Sequence, residues 1–189
     1  MGRKLNEKIL VYRVRIKKDP SAFAELYDWY VEKIYRFVYF KITNKEEAED
    51  ITSTVFLKVW SYLIEYTEKE IDSFSGLIYR VARNAIIDFY RERGRKKIEG
   101  IEILEQLPVE EKSYAQTAVS QEVEPIMAAI KKLKQDYQEV ILLKYVEELT
   151  TAEIAEILGK SQTGVRLTLH RAMKKLKELL GTGFPPSRE

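Results

Sequence analysis

Residues 149–179 constrain this chain most tightly, because they encode two helices with a sharp turn between them. Thr150 and Glu153 have the spacing of a capping box, which starts a short helix holding Ile154, Ile157 and Leu158 inward. Gly159 permits the turn, and Ser161 is placed to cap the next helix. There Val165, Leu169, Ala172, Leu176 and Leu179 recur at helical spacing as one core stripe. The opposite face carries Thr163, Arg166, Leu167, His170 and Lys174, with Arg171 beside them. Between Gly159 and Lys177 there are six Lys/Arg and no acidic residue, so the local field is strongly positive. A helix apolar on one side and cationic on the other, after a tight turn, suits a duplex major groove.

The net charge of the whole chain, +2, conceals this segregation. With no Cys, disulfides, thiolate metal sites and Cys nucleophiles are excluded, and a reducing compartment is expected. His170 is the only His, which leaves almost nothing for a His-based zinc site or a Ser-His-Asp triad. No metal or cofactor is expected, and no paired-acid site or phosphate loop suggests an enzyme. No apolar run reaches bilayer length, so the chain is expected in the cytoplasm without membrane insertion.

The pattern predicts an all-α chain of two small helical domains joined by an acidic linker, the second containing the helix-turn-helix. The boundaries are 1–97, 98–125 and 126–189. An N-terminal helix is expected over Leu5 to Lys17. A long helix starts at Pro20 and Ser21, and Thr43 and Asn44 break it. A second runs from Lys45 to Leu63, with Ile51, Val55, Phe56, Val59 and Trp60 on a wide apolar arc. Glu65 to Asp72 reads as a loop, and a third long helix from Phe74 carries Ile78, Ala82, Ala85 and Phe89 inward. In 98–125, seven Glu stand against one Lys. From Ile126, helical periodicity returns through Ile130, Leu133, Tyr137, Val140, Ile141 and Lys144 and leads into the helix-turn-helix.

Two further constellations stand out. Arg80, Arg83, Asn84 and Arg91 lie on the exposed side of the third long helix, and five basic residues crowd Arg91 to Lys97. Trp60, Tyr62 and Tyr66 lie upstream; such rings beside cations can stack an unpaired base, or they can simply be core. On the second helix, Glu47, Asp50 and Thr54 form a polar strip with Leu57 nearby. That strip reads either as a docking face for another protein's helix or as ordinary surface.

Taken together these motifs resemble the extracytoplasmic-function (group 4) sigma factors of bacterial RNA polymerase. Ala48-Glu49-Asp50-Ile51 with Val55 to Trp60 resembles the polymerase-binding segment of sigma region 2. Tyr79 to Asn84 with Ile87-Asp88 resembles the segment that melts and reads the −10 element. Glu153 to Gly159, Val165 and His170-Arg171-Ala172 resemble region 4, which reads the −35 element. A Trp common in the −10 segment is replaced by Leu77, the usual Gly-Thr-Val becomes Thr163-Gly164-Val165, and a frequent Arg is Thr168. A Gly just inside a helix costs roughly 1 kcal/mol against Ala.

The resemblance implies promoter DNA and core RNA polymerase (its β′ clamp helices and β flap) as partners, with an anti-sigma factor as a further one. It implies −35 contacts from Lys160, Ser161, Gln162, Thr163, Arg166, Leu167, His170, Arg171 and Lys174, with Lys175 also near phosphate. Tyr66, Arg80, Arg83, Asn84 and Arg91 would serve the −10 region, with an extruded base trapped in the loop 66–73. Glu47, Asp50, Thr54 and Leu57 would face the polymerase. Asp88 would hold a neighbouring Arg, and the acidic linker would occupy the RNA exit path. A helix-turn-helix regulator without sigma activity explains the C-terminal half equally well, but not the cationic patch after Arg80 or the linker.

Overall fold

The computed structural model describes residues 2–67, 71, 73–98 and 123–181; in that set every regular element is a helix. The chain divides into two compact units, one built on the helices up to Ile98 and one on the helices from Val123. Most of the segment read as an acidic linker, 99–122, lies outside the described residues, as do 68–70 and 72 of the loop and the tail 182–189.

The first unit comprises α1 (Gly2–Lys17), α2 (Pro20–Ile42), α3 (Lys45–Glu65) and α4 (Phe74–Ile98). Each boundary has a local cause. Asp19 caps α2 by accepting from the Ser21 and Ala22 amides at 2.9 and 3.3 Å, and Pro20 occupies a position whose amide needs no partner. Thr43 ends α2 in the left-handed region (φ 60°), its N–H donating to the Tyr39 carbonyl at 2.9 Å. Asn44 then caps α3 by accepting from the Glu47 amide at 2.9 Å. Two residues therefore reverse the chain and bring α2 and α3 together.

Between these helices Val14, Leu26, Ile34, Val38, Val55, Val59, Leu63 and Ile78 are fully buried, each stabilising by about 1.5–3 kcal/mol. Tyr79 meets Phe37 edge-on at 5.4 Å and Tyr30 meets Phe74 at 5.1 Å, so the rings interlock rather than stack. Leu77, which replaces a Trp common in the −10 segment it resembles, is 2% exposed and belongs to this core. Trp60 lies edge-on to Phe23 at 5.1 Å and is half-buried.

The second unit contains α5 (Val123–Lys131), α6 (Gln135–Ile141), a π-helical turn (Leu142–Val146), α7 (Thr151–Leu158) and α8 (Gln162–Leu180). Helix α5 begins three residues before the expected domain boundary. Pro125 is tolerated there because the first turn of a helix has no intrahelical partners for its amides. The periodic stretch from Ile126 is also not continuous. It breaks after Lys131, where the Gln138 side-chain amide donates to the Lys131 and Leu133 carbonyls, both at 2.9 Å, satisfying orphan acceptors at the end of α5. Val140, Leu143, Ile154, Val165 and Ala172 form the core, and α8 packs against α5 and α6.

Candidate nucleic-acid interface

The capping box at the start of α7 is reciprocal. Thr150 N–H donates to Glu153 Oε2 at 2.8 Å, while the Glu153 amide donates to Thr150 Oγ1 at 3.2 Å. Gly159 turns the chain at φ 62°, a conformation costly for a residue with a Cβ. Ser161 then caps α8, its Oγ accepting from Gly164 N–H at 3.0 Å.

Gly164 is thus the third residue of α8, within the cap itself. A Cβ there would lie 3.2 Å from Ser161 Oγ, so Ala would require the cap to give by a few tenths of an ångström. Thr168, in place of the frequent Arg, donates its hydroxyl to the Gly164 carbonyl at 2.8 Å and so serves its own helix.

Val165, Ala172 and Leu176 are buried along one side of α8 and Leu169 is intermediate. The expected stripe fails at Leu179, which is 43% exposed in the last turn, beyond those buried positions. The other side presents Thr163, Arg166, Leu167, His170, Arg171 and Lys174 to solvent, with Gln162 and Ser161 exposed at its start. Leu167 is 50% exposed amid this polar face, an apolar side chain with no core role.

Two of the nearby cations are engaged. Lys160 Nζ lies 2.6 Å from an Asp136 carboxylate oxygen, and Lys175 Nζ lies 2.8 Å from Glu178. The Glu178 partner raises the Lys175 pKa and is itself held below its ordinary value by that hydrogen bond.

In the first unit, Arg80, Asn84 and Arg91 fall on one line of α4, with Arg83 roughly 60° further around. Asn84 and Arg91 are exposed; Arg80 and Arg83 are half-buried. Arg91 pairs with Asp88 at 2.5 Å, the pairing expected of Asp88. Tyr66 ends α3 and is 44% exposed, with its ring 5.1 Å from Tyr62. Its carbonyl accepts from Arg15 of α1 at 3.2 Å, and the same guanidinium reaches the Thr67 carbonyl, so α1 anchors the start of the loop.

On α3, Asp50, Thr54 and Leu57 are exposed, Leu57 at 68%. Glu47 is different: Arg93 of α4 lies 3.2 Å from its carboxylate, and Arg93 also sits 5.0 Å over the Phe89 ring. Leu57, Lys58, Ser61, Tyr62, Glu65 and Tyr66 line an open groove of about 320 Å³ continuing this face. The sequence marks Arg93 only as one of the basic residues crowding 91–97 and Asp136 not at all, since both pair with residues distant along the chain. The outer face of α1 did have a signal, in the spacing of Leu5, Ile9, Tyr12 and Ile16.

The four-helix unit followed by a helix-turn-helix unit defines a class. Residues 26–96 match the family described as Sigma-70 region 2, and residues 123–176 match Sigma-70, region 4. Within that class the chain belongs to the extracytoplasmic-function RNA polymerase sigma factors. It is 32% identical over 173 residues to the ECF RNA polymerase sigma factor SigW of Bacillus subtilis, covering 87% of this chain and 91% of the relative. It is 29% identical over 163 residues to the ECF RNA polymerase sigma factor BldN of Streptomyces coelicolor, covering 86% of this chain but 61% of that longer relative. The fold is shared with CnrH, solved with the cytosolic domain of CnrY (TM-score 0.67, 20% identity, 93% of this chain and 97% of that one). It is shared also with RpoE, solved with the anti-sigma factor NepR from Bartonella quintana (TM-score 0.68, 20% identity, 86% and 98%).

Proposed function

We propose that this chain binds core RNA polymerase and directs initiation at promoters through their −10 and −35 elements. The observation that carries the reading is the division of α8 into a buried apolar stripe and an exposed face of Arg166, Leu167, His170, Arg171 and Lys174. That face fits a major groove. Arg166 is suited to guanine and Leu167 to a thymine methyl, while Lys160, Arg171 and Lys174 hold phosphates that position without specifying. Ser161, Gln162 and Thr163 bring the start of the helix to the backbone, where its free amides favour anionic groups.

In the first unit, Arg80, Arg83, Asn84 and Arg91 engage the opening −10 region and Tyr66 borders the pocket for an extruded base. Unstacking a base costs a few kcal/mol, which the clamps and pocket must offset. Asp50, Thr54 and Leu57 dock on the β′ clamp helices, with Glu47 sharing its carboxylate between that surface and Arg93; the second unit meets the β flap. The acidic segment between α4 and α5 follows the RNA exit path. RNA synthesis itself belongs to the polymerase, so this chain acts in the cytoplasm as a recognition subunit. An anti-sigma factor covering the polymerase-binding face would hold it inactive. Among the described residues, no helix is long and apolar enough to cross a membrane.

The test is reconstitution with core polymerase and selection of promoters from a random DNA pool. Transcripts from the selected templates, lost with Leu57→Asp or Arg166→Ala, support the reading. Core enzyme that neither retains the chain nor starts RNA with it would favour a regulator acting without sigma activity.

A further inference from the structure

Helix α1 has two apolar faces, and the fold of the first unit uses one. Leu10, Val11 and Val14 are buried at 8% exposure or less. On the opposite side Leu5, Ile9, Tyr12 and Ile16 are 62, 49, 59 and 55% exposed. Their 4-3-4 spacing is that of the a and d positions of a heptad repeat, and they form a ridge about 16 Å long. The ridge occupies only about 60° of the helix circumference, the narrow seam of a coiled coil. Exposed Lys8 lies about 40° beyond one edge of the ridge and exposed Lys17 about 80° beyond the other, where the nearer Arg13 is paired with Asp19 at 2.7 Å; α1 as a whole carries six Lys/Arg against one Glu.

We infer that this ridge is a docking site for an acidic amphipathic helix of another protein. Three features select that occupant. A second copy of α1 would bring the apolar ridges together but would also set cationic flanks against one another, which opposes pairing. An anionic bilayer would need a broad apolar face sunk beneath the headgroups, whereas this seam is narrow and the reverse side of α1 is committed to the protein core. A helix with apolar a and d positions and Glu beside them matches both the ridge and the flanking charge. The site lies on a different helix from Asp50, Thr54 and Leu57 and from the cationic faces of α4 and α8.

The experiment uses the full chain and two fluorescent three-heptad peptides, each with Leu at a and d. One carries Glu at e and g, the other Lys. Anisotropy should show saturable binding of the Glu peptide and at least tenfold weaker binding of the Lys peptide. Ile9→Lys with Ile16→Lys, both at exposed positions, should weaken the Glu peptide at least tenfold while helix content by circular dichroism and promoter-directed transcription are retained. Lys8→Glu with Lys17→Glu should move the preference toward the Lys peptide. Equal binding of both peptides, or no binding of either, overturns the inference. So does a dimer in sedimentation that dissociates in the Ile9→Lys, Ile16→Lys variant, which would assign the ridge to a second copy. Stronger Glu-peptide binding after deletion of 99–122 would assign it to the chain's own acidic segment. Ridge-dependent retention on phosphatidylglycerol–phosphatidylcholine vesicles without affinity for the Glu peptide would assign it to a membrane.

Discussion

Lys160 is proposed to hold a phosphate beside the −35 element, yet in the free protein its ammonium is paired with Asp136 at 2.6 Å. DNA must therefore compete with a carboxylate, and removing that carboxylate should strengthen binding. The two side chains are 34% and 59% exposed, so solvent screens the pair and its value falls within about 0.2–1 kcal/mol. Asp136→Asn should raise holoenzyme affinity for a promoter fragment by a factor of about 1.4 to 5. Asp136 also stands in the first turn of α6, where a negative charge favours the helix by about 0.3–1 kcal/mol, so the variant should be slightly less stable even as it binds DNA better. Lys160→Ala should weaken binding and make the logarithmic salt dependence shallower by about 0.9, the loss of one phosphate contact. The assay is fluorescence anisotropy over a salt series for both single variants and the double variant. If Asp136→Asn strengthens binding equally in the Lys160→Ala background, the carboxylate acts by general repulsion and the competition argument is refuted.

Other outcomes are equally specific. Ser161→Ala should destabilise the start of α8 by about 1 kcal/mol, read as about fivefold faster hydrogen exchange at the Gly164 amide, with Ser161→Asp retaining protection. Glu148 has φ 55°, so Glu148→Gly should gain about 1 kcal/mol in urea denaturation of the second unit, and Glu148→Gln, which removes only the charge, should gain none. The Arg13 hydrogen bond, with support from the Ala22 and Ser21 amides, holds the Asp19 carboxyl below its ordinary 3.8. A depressed folded-state pKa contributes stability that is present above 3.8 and is lost as the pH falls through the folded value. Asp19→Asn should therefore lower stability at neutral pH and flatten its decline below 3.8, measured by thermal melting across an acid series. Val59→Asp places an unpaired charge in the fully buried core of the first unit and should abolish its cooperative melting while leaving that of the second unit.

Much of this molecule was legible in one dimension, because helical periodicity and end-capping are local. Thr150 and Glu153, Gly159 and Ser161 specify their turns through neighbours three residues away, and the cationic face of α8 needs only a period of 3.6. The order of helices in the first unit and the break at Thr43-Asn44 were readable for the same reason. The interruption of the run from Ile126 was not, since it depends on one Gln138 side chain reaching two carbonyls. Nor could sequence place Trp60 against Phe23, pair Glu47 with Arg93, or engage Lys160 with Asp136; these partners lie 24 to 46 residues apart and meet only when helices pack. Pattern along the chain thus determined which faces are apolar and which are cationic. Tertiary packing decided which charges are already paired, because ion pairing depends on a few ångströms of separation that no spacing rule carries between helices.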